Sequence, residues 1–304
     1  MPTHRHTRDG TPSTYVVADP ASKDELTRLT IQEQMVTTSM GGVLPEQADP
    51  TIFKSILDVG CGPGGWLLAT AKAYPMISKL TGVDISPRMI AYAQKQAQAE
   101  KVNDRVEFHV MDVQRALQFP DGCFDLVNQR SATSFLRTWD WSNLLLEFLR
   151  VTRPGGVIRL TEPNIMPWGN KPAFTRQMDL IVEAFYHSGH LFRPVRHSIP
   201  DELPNMLRRY GVQNVQARDI LVEYHFGTPE WRLAFENTRL SFRTSKPFLL
   251  KWTRVPDDYE ELCEQALAEM QQADFVAKWN IHTIWGYAPA CASSMSPLPA
   301  ASDK

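Results

Sequence analysis

The 304-residue chain has an ordinary globular composition, with 43% hydrophobic and 22% charged residues, and a formal charge of −2. A near-neutral chain lacks the basic field of a dedicated nucleic-acid binder, and no apolar run approaches the roughly 18 residues of a membrane span. Cys61, Cys123, Cys263 and Cys291 have no metal-type spacing, and residues 1–14 lack the apolar core of a signal peptide. We therefore expect a reduced, cytoplasmic protein without a metal, a nucleic-acid partner or a membrane partner.

The N-terminal region predicts a tail followed by one helix. Residues 1–20 are rich in Thr, Pro, His and Arg, which is typical of a segment that is mobile unless a ligand or partner orders it. Ser22 or Asp24 can cap a helix that runs to about residue 38. Gly41 and its neighbouring glycine end this helix.

Strand and helix patterns alternate from residue 54 onward. Short apolar or alternating segments predict strands at 55–59, 80–84, 105–111, 124–128 and 157–161. The segments between them predict helices at 66–74, 87–101 and 143–152. This rhythm is typical of βαβ units and predicts a parallel, doubly wound α/β sheet.

The pattern changes after Glu162. Helices are predicted at 172–186 and 201–210 and strands at 212–222 and 282–287, with a mostly helical segment at 228–277. Aromatic residues crowd this last segment, which favours an apolar ligand pocket, a subunit interface or a small helical core packed on the sheet. The residues are Phe226, Trp231, Phe235, Phe242, Phe248, Trp252 and Tyr259.

The most informative motif is a glycine-rich turn between the first strand and the next helix. Gly60, Gly62 and Gly65 match the spacing G-x-G-x-x-G, in which glycines allow a sharp bend and close approach of a ligand. Asp84 ends the second strand, 19 residues after Gly65, where a carboxylate can accept both hydroxyls of a ribose. The pattern predicts a nucleoside cofactor and leaves a dinucleotide open.

Asp58 helps to separate the two kinds of cofactor. It stands two residues before Gly60, close to where a pyrophosphate would lie. An anion there disfavours two phosphates and favours a ligand with an ammonium and a sulfonium, by roughly 1–4 kcal/mol of Coulomb energy. The sequence therefore favours a cationic nucleoside over NAD.

Five motifs in order resemble the class I S-adenosylmethionine-dependent methyltransferases, and in particular their small-molecule "type 11" branch, which includes ubiquinone-type C-methyltransferases. They lie at 58–64 (DVGCGPG), 82–90 (GVDISPRMI), 111–113 (MDV), 124–127 (FDLV) and 153–156 (RPGG). The resemblance covers about residues 54–162. It implies a Rossmann-like, doubly wound, seven-stranded α/β sheet with an antiparallel last strand, an N-terminal helical lid and a helical C-terminal insertion. It also implies S-adenosylmethionine as the cofactor and S-adenosylhomocysteine as its product.

The resemblance assigns cofactor contacts to nine positions. The implied roles are Gly60 and Gly62 at the methionine part with Asp58 behind its amino group, Asp84 at the ribose hydroxyls, Ile85 and Met89 against the nucleoside, Asp112 and Val113 at adenine, and Asn128 between the methionine and the methyl acceptor.

The resemblance and the pattern together divide the chain into four parts. We expect a tail and lid helix at 1–50, a cofactor-binding core at 51–165, acceptor-side helices, the insertion and the remaining strands at 166–289, and a disordered tail at 290–304. The lid helix and the insertion are the candidate surfaces for a homo-oligomer.

Three residues are candidate catalytic groups. Glu162 directly follows the fifth strand and is a candidate base or acceptor-orienting group, although a loop acid would look the same. Tyr15 would reach the cofactor if the N-terminal segment folds back, and it is otherwise a tail residue. His187 lies three residues before His190, and without a third ligand a surface or helix-capping role is the simpler interpretation.

The expected activity is methylation of a small, apolar or aromatic metabolite in secondary metabolism. The sequence at 128–131, Asn-Gln-Arg-Ser, lacks the signature of DNA amino-methyltransferases. A nicotinamide-dependent oxidoreductase on the same Rossmann-like core and a non-catalytic scaffold are the alternatives.

Overall fold

One twisted sheet organises the structure, a computed structural model that describes residues 15–17 and 22–290. Within these residues eight strands join the sheet. They are β1 (Ser55–Val59), β2 (Lys79–Asp84), β3 (Val106–Val110), β4 (Phe124–Arg130), β5 (Thr152–Pro163), β6 (Trp168–Gly169), β7 (Gln213–His225) and β8 (Val276–Tyr287).

The sheet has the topology that the sequence predicts. Strands β1 to β5 are parallel in the order β3-β2-β1-β4-β5. Strand β8 pairs antiparallel with β5 on one side and with β7 on the other, so the last strand is antiparallel as expected. The expected count of seven is exceeded by one because the two-residue β6 pairs with β8 at Lys278, beyond the end of β5.

Eight α-helices connect and cover the described strands. They are α1 (Lys23–Met40), α2 (Gly65–Ala73), α3 (Pro87–Ala99), α4 (Trp141–Val151), α5 (Pro172–His187), α6 (Ser198–Arg209), α7 (Pro229–Trp252) and α8 (Tyr259–Glu269). Of the two predicted caps of α1, Ser22 is the one used, because its side chain accepts a hydrogen bond from the backbone N–H of Glu25. Ser86 caps α3 in the same way, with Pro87 in its first turn.

Helices cover both faces of the sheet. Strands β1 and β4 are buried along almost their whole length, polar side chains included, because both of their faces are covered. Helices α2 and α3 pack on one face around Trp66 and Leu67, and α4, α5 and α6 pack on the other around Trp141 and Phe148. A third cluster joins α1, α5, α7 and α8 to β8, so these helices form a cap at one end of the sheet.

The aromatic segment of the insertion is mainly helical core. Phe242 and Tyr259 are buried, and Trp231 contacts Phe226 and Phe235 with ring centroids 4.9 and 5.3 Å apart. Phe248 also packs in the core, but it lies beside the cavity described below. The helical-core interpretation is therefore confirmed for this segment, and the ligand-pocket interpretation stays a prediction.

Two sequence predictions fall at the ends of the chain. Most of the predicted N-terminal tail and all but the first residue of the predicted C-terminal tail lie outside the described residues.

No helix within the described residues is long and apolar enough to cross a membrane.

Candidate active site

A cavity of about 610 Å³ opens where the parallel strands end. Gly60 follows β1, Asp84 ends β2, Arg130 ends β4 and Glu162 lies near the end of β5, and all four line the cavity. Residues 15–17, α1 and α7 close it from the other side. This crevice at the carboxyl ends of the strands is where open α/β sheets bind ligands.

The glycine-rich turn has a backbone that favours glycine. Gly60 and Gly62 have φ values of +71° and +52°. A Cβ atom on Gly60 would lie 2.9 Å from the ring of Phe135, whereas one on Gly62 would meet nothing within 4 Å. The backbone at Gly62 is therefore open to the cavity, so a ligand can approach it closely.

Asp84 ties this turn to the start of α3. One of its carboxylate oxygens accepts from the N–H of Gly62 at 3.0 Å, and the other accepts from the N–H of Ser86 at 2.8 Å. Burial raises the pKa of Asp84, and these two backbone hydrogen bonds oppose that rise. The carboxylate lines the cavity and has lone pairs left for further donors.

A buried polar chain lies behind the turn. Asn128 donates to Oδ1 of Asp58 at 2.7 Å and accepts from Nη1 of Arg159 at 2.7 Å. Arg159 in turn forms a buried ion pair with Glu46 at 2.8 Å. The chain arises because Asp58, Asn128 and Arg159 are register neighbours on β1, β4 and β5.

Asn128 does not line the cavity. Its side chain is completely buried, and it holds Asp58 through a hydrogen bond. Burial raises the pKa of Asp58 to about 7, and the hydrogen bond from Asn128 opposes the rise. Asp58 itself is buried two residues before Gly60 and does not line the cavity.

The far end of the cavity is lined by the residues that the resemblance places at the nucleoside. Met89 and Val113 are buried there, and Ile85 is 48% exposed. Asp112 accepts from the N–H of Gln114 at 3.0 Å, which fixes its carboxylate at the rim. The structure thus brings together two apolar surfaces and one carboxylate acceptor, a set that suits a base with an exocyclic amine.

Glu162 is fully buried and heavily hydrogen-bonded. Its Oε1 accepts from Nε2 of Gln129 at 2.9 Å and from the N–H of Ala132 at 2.5 Å. Its Oε2 accepts from the N–H and the hydroxyl of Thr133 at 3.2 and 2.6 Å. Burial raises the pKa of Glu162, and these hydrogen bonds oppose the rise. Two oxygens offer about four acceptor sites, so little capacity remains for a substrate proton.

The other two candidate catalytic residues differ in their position relative to the cavity. The hydroxyl of Tyr15 donates to Glu25 at 2.6 Å, and burial raises its pKa, so it stays protonated at the cavity wall. His187 ends α5 in an exposed position, and its Nδ1 donates to the carbonyl of Trp252 at 3.0 Å. The structure brings Tyr15 to the cavity and leaves His187 outside it.

Part of the cavity wall was not predicted from the sequence. Segments at the ends of β4 and β5 line the cavity, and helices α1, α5 and α7 and strand β8 add a further wall. Residues 241, 244, 245 and 248 of α7 recur at helical spacing, a signal that was available in the sequence. Because three of the four positions are serine or threonine, the hydrophobic pattern did not mark this face of α7 as part of a cavity wall. The wall residues missed are Arg28, Leu29, Ile181, Phe185, Ser241, Thr244, Ser245 and Trp279.

No group of three or more His, Cys, Asp or Glu side chains that could hold a metal ion occurs within residues 15–17 and 22–290.

Comparison with known proteins points to one family. The model of the "Methyltransferase domain" family matches residues 56–156. Demethylmenaquinone methyltransferase of Lactiplantibacillus plantarum is 30% identical over 190 residues, which cover 58% of this chain and 78% of that protein. Ajmaline N-methyltransferase of Rauvolfia serpentina is 37% identical over 105 residues, or 34% of each chain. The match thus spans about a third of the plant enzyme.

Solved structures share the fold. Phosphoethanolamine N-methyltransferase 2 of Haemonchus contortus, in complex with S-adenosyl-L-methionine, has a TM-score of 0.54 at 18% identity, covering 90% of this chain and 60% of that one. The YcgJ protein of Bacillus subtilis has a TM-score of 0.54 at 19% identity, covering 83% and 98%. At these identities the likeness concerns the fold alone.

Fold, turn and sequence similarity together define a class I S-adenosylmethionine-dependent methyltransferase. The chain belongs to this family, and its cofactor is S-adenosylmethionine. Of the two cofactors that the glycine spacing left open, the dinucleotide is thereby set aside.

Proposed function

We propose that the protein transfers a methyl group from S-adenosylmethionine to a small, largely apolar or aromatic metabolite, by in-line displacement, in secondary metabolism. The names of two relatives support a small-molecule acceptor, since one acts on demethylmenaquinone and another on ajmaline.

The observation that carries the proposal is the continuity of the large cavity. It extends from the glycine-rich turn and Asp84 to a wall of Ile165, Ile181, Phe185 and Phe248. Phe185 and Phe248 meet edge to face with centroids 5.2 Å apart, which gives that wall a fixed apolar surface. An acceptor of matching character would lie against it, next to the methionine end of the cofactor.

The residues at the turn have separate proposed tasks in holding the cofactor. Asp84 accepts the ribose hydroxyls, Asp112 accepts the adenine amine, and Asp58 compensates the ammonium group from behind Gly60. Ile85, Met89 and Val113 provide apolar contacts, Gly62 allows close approach, and Asn128 acts through Asp58.

Bound S-adenosylmethionine supplies an activated methyl group on a good leaving group, so the chain's main task is alignment. Glu162 is proposed as a positioning residue, because its hydrogen bonds fix the loop at 131–134 that lines the cavity. Tyr15 is proposed to position Glu25 and the segment that covers the site, since the N–H of Val16 also donates to the carbonyl of Ser134 at 3.1 Å. No catalytic role is proposed for His187.

The proposal is tested by cofactor binding and by methyl transfer. Calorimetry should show binding of S-adenosylhomocysteine and none of NADH. Incubation with methyl-labelled S-adenosylmethionine and fractionated metabolite extracts should label a small molecule that gains one methyl group. The variant Asp84→Ala should show reduced activity at low S-adenosylmethionine concentration, and Asp104→Ala, at an exposed aspartate before β3, should keep the wild-type activity. Binding of NADH without binding of S-adenosylhomocysteine would overturn the proposal.

A further inference from the structure

A smaller cavity of about 80 Å³, here called the side chamber, adjoins the apolar end of the large cavity. It lies between α1, α5, α7, β7 and β8. The two cavities share the wall residues Arg28, Gln32, Ile165, Met166, Ser241 and Trp279. The two cavities therefore lie side by side, with these side chains between them.

The rest of the chamber wall is largely apolar and adaptable. Four methionines line it, namely Met35, Met166, Met178 and Met270. Methionine side chains are unbranched and flexible, and they adjust readily to the shape of a ligand. The chamber volume is also well above the roughly 10–15 Å³ that a single water requires.

Two residues that line this chamber each carry a buried polar atom with no hydrogen-bond partner among the described residues. Tyr224 is only 3% exposed, and its hydroxyl has no hydrogen-bond partner among the described residues. The carboxamide Oδ1 of Asn237, a residue of α7, is also buried and has no hydrogen-bond partner among the described residues. Both residues line the side chamber. Burying such groups without partners is costly, so their presence calls for a ligand group that pairs with them.

The chemistry of the two groups defines what fits. Burial raises the pKa of Tyr224, so its hydroxyl stays protonated and can donate. Oδ1 of Asn237 can only accept. A neutral hydroxyl matches both, because it accepts one hydrogen bond and donates another.

A carboxylate or phosphate fits the chamber less well. It would face the oxygen of Asn237, and the cation on the shared wall is already engaged. Arg28 donates to both carboxylate oxygens of Glu25, at 2.8 and 2.6 Å, and to Gln32 at 2.5 Å. Its charge is balanced within the fold.

We propose that the side chamber is a specificity subsite that takes a hydroxyl group of the methyl acceptor, with Tyr224 as donor to that hydroxyl and Asn237 as acceptor from it. The inference rests on the proposed function, and it narrows the acceptor to an apolar molecule that carries an alcohol or phenol away from the methylated atom.

The test uses two probes of similar shape, 2-naphthol and 2-methylnaphthalene, binding to the full chain saturated with S-adenosylhomocysteine. Calorimetry on the wild type should show roughly three- to tenfold tighter binding of 2-naphthol, the range expected for added hydrogen bonds. Tyr224→Phe and Asn237→Leu should each reduce this preference. The matched control Tyr186→Phe, at an exposed tyrosine outside both cavities, should keep it.

A second measurement separates a ligand role from a structural one. Because the hydroxyl of Tyr224 lacks a partner within the described fold, Tyr224→Phe should not lower the melting temperature of the ligand-free protein. A lower melting temperature would show that the hydroxyl serves the fold, and it would overturn the proposal.

The outcomes also distinguish the two proposals. Failure to bind S-adenosylhomocysteine would contradict the proposed function. If S-adenosylhomocysteine binds normally but the two probes bind equally well or do not bind, the subsite proposal alone is overturned. The chamber would then hold bound water. A preference for 2-naphthol that survives in both variants would overturn it as well, because the hydroxyl would then be held elsewhere.

Discussion

At the residue scale, the most consequential side chain is a buried carboxylate. Asp58 is 4% exposed, and its position behind Gly60 places a negative charge close to the cavity but out of contact with water. The hydrogen bond from Asn128 orients it, and Arg159 lies one residue further along the same chain of contacts. We therefore expect cofactor binding to depend on the protonation state of this one carboxyl group.

We predict that the affinity for S-adenosylhomocysteine falls as the pH drops through 7. The pKa of Asp58 is about 7 in the ligand-free protein, and the ammonium group of the ligand requires the ionised form. Binding therefore releases a proton below this pH, and the affinity at pH 6 should be about tenfold lower than at pH 8. Calorimetry across this range checks the slope, and Asp58→Asn is the control that should flatten it.

The same variant should alter stability in the opposite sense from affinity. A carboxyl whose pKa is raised in the folded state contributes stability at low pH that is lost as the pH rises through 7. At pH 8 we therefore expect Asp58→Asn to stabilise the ligand-free protein, by at most roughly 4 kcal/mol, while weakening ligand binding. Denaturation at pH 8 measures this, with Asp104→Asn as a surface control. A destabilised variant would show that Asn128 and Arg159 already compensate the charge.

Asp84 is expected to matter mainly for the ribose. Asp84→Ala removes an acceptor that lines the cavity, and it should weaken binding of S-adenosylhomocysteine by roughly 1–3 kcal/mol, the scale of charge-assisted hydrogen bonds. Calorimetry compares it with Asp104→Ala. Unchanged affinity would mean that the ribose is held by other groups.

At the element scale, the site depends on how the ends of β4 and β5 are joined. Ser131, directly after β4, has a φ of +59°, a conformation that non-glycine residues adopt rarely. Its N–H donates to the carbonyl of Thr161 at 2.9 Å, and Glu162 holds the next two backbone N–H groups. Strand β5 thus fixes the shape of the loop that faces the cavity.

We predict that Glu162→Gln destabilises the protein by roughly 1–3 kcal/mol, because an amide NH₂ would replace one acceptor oxygen and face a buried donor. Chemical denaturation checks this against Glu183→Gln, at an exposed position on α5. Once an acceptor is known, the pH profile of kcat should keep its shape in Glu162→Gln. A lost titration limb in that profile would instead identify Glu162 as a base.

At the scale of the whole molecule, the cavity exists because segments far apart in sequence close over the sheet. Residues 15–17 and α1 cover it from the N-terminal side and α7 from the C-terminal side, and Arg243 of α7 pairs with Asp24 of α1 at 3.1 Å. Ligand binding should therefore stabilise elements that have no part in the sheet.

We predict that S-adenosylhomocysteine slows amide hydrogen exchange in residues 15–17 and in α1. These segments line the cavity through Tyr15, Arg28 and Gln32, so a bound ligand should suppress their local opening. Helix α6 lines neither cavity and is the internal reference, which should change only if global unfolding is affected. An equal slowing of amide exchange in all elements would show that residues 15–17 and α1 do not open independently of the rest of the protein.

Much of the fold followed from local pattern. Strand β1 has its predicted bounds. The glycine-rich turn was found because its glycines form one short motif, and Asp84 was found because it ends the next predicted strand. Strand β8 begins at 276 and not at the predicted 282, although residues 276–281 alternate between half-buried and buried positions, which is the period of a strand. The prediction missed this alternation because it extended the preceding helical segment to residue 277. The hydrogen bond between Asn128 and Asp58 did not follow from local pattern, because the two residues are 70 positions apart in the chain.

The sequence by itself determined the class of fold, the cofactor and the side chains at the turn, since these depend on short motifs whose chemistry is local. Only the tertiary structure decided how the rest of the cavity is built. It surrounded the carboxylate of Glu162 with four hydrogen-bond donors, placed His187 outside the cavity, and brought Tyr224 and Asn237 into the wall of one small chamber. The physical reason is that burial and hydrogen-bond partners are set by which elements pack together, and neighbours across a sheet or between helices are distant in the chain.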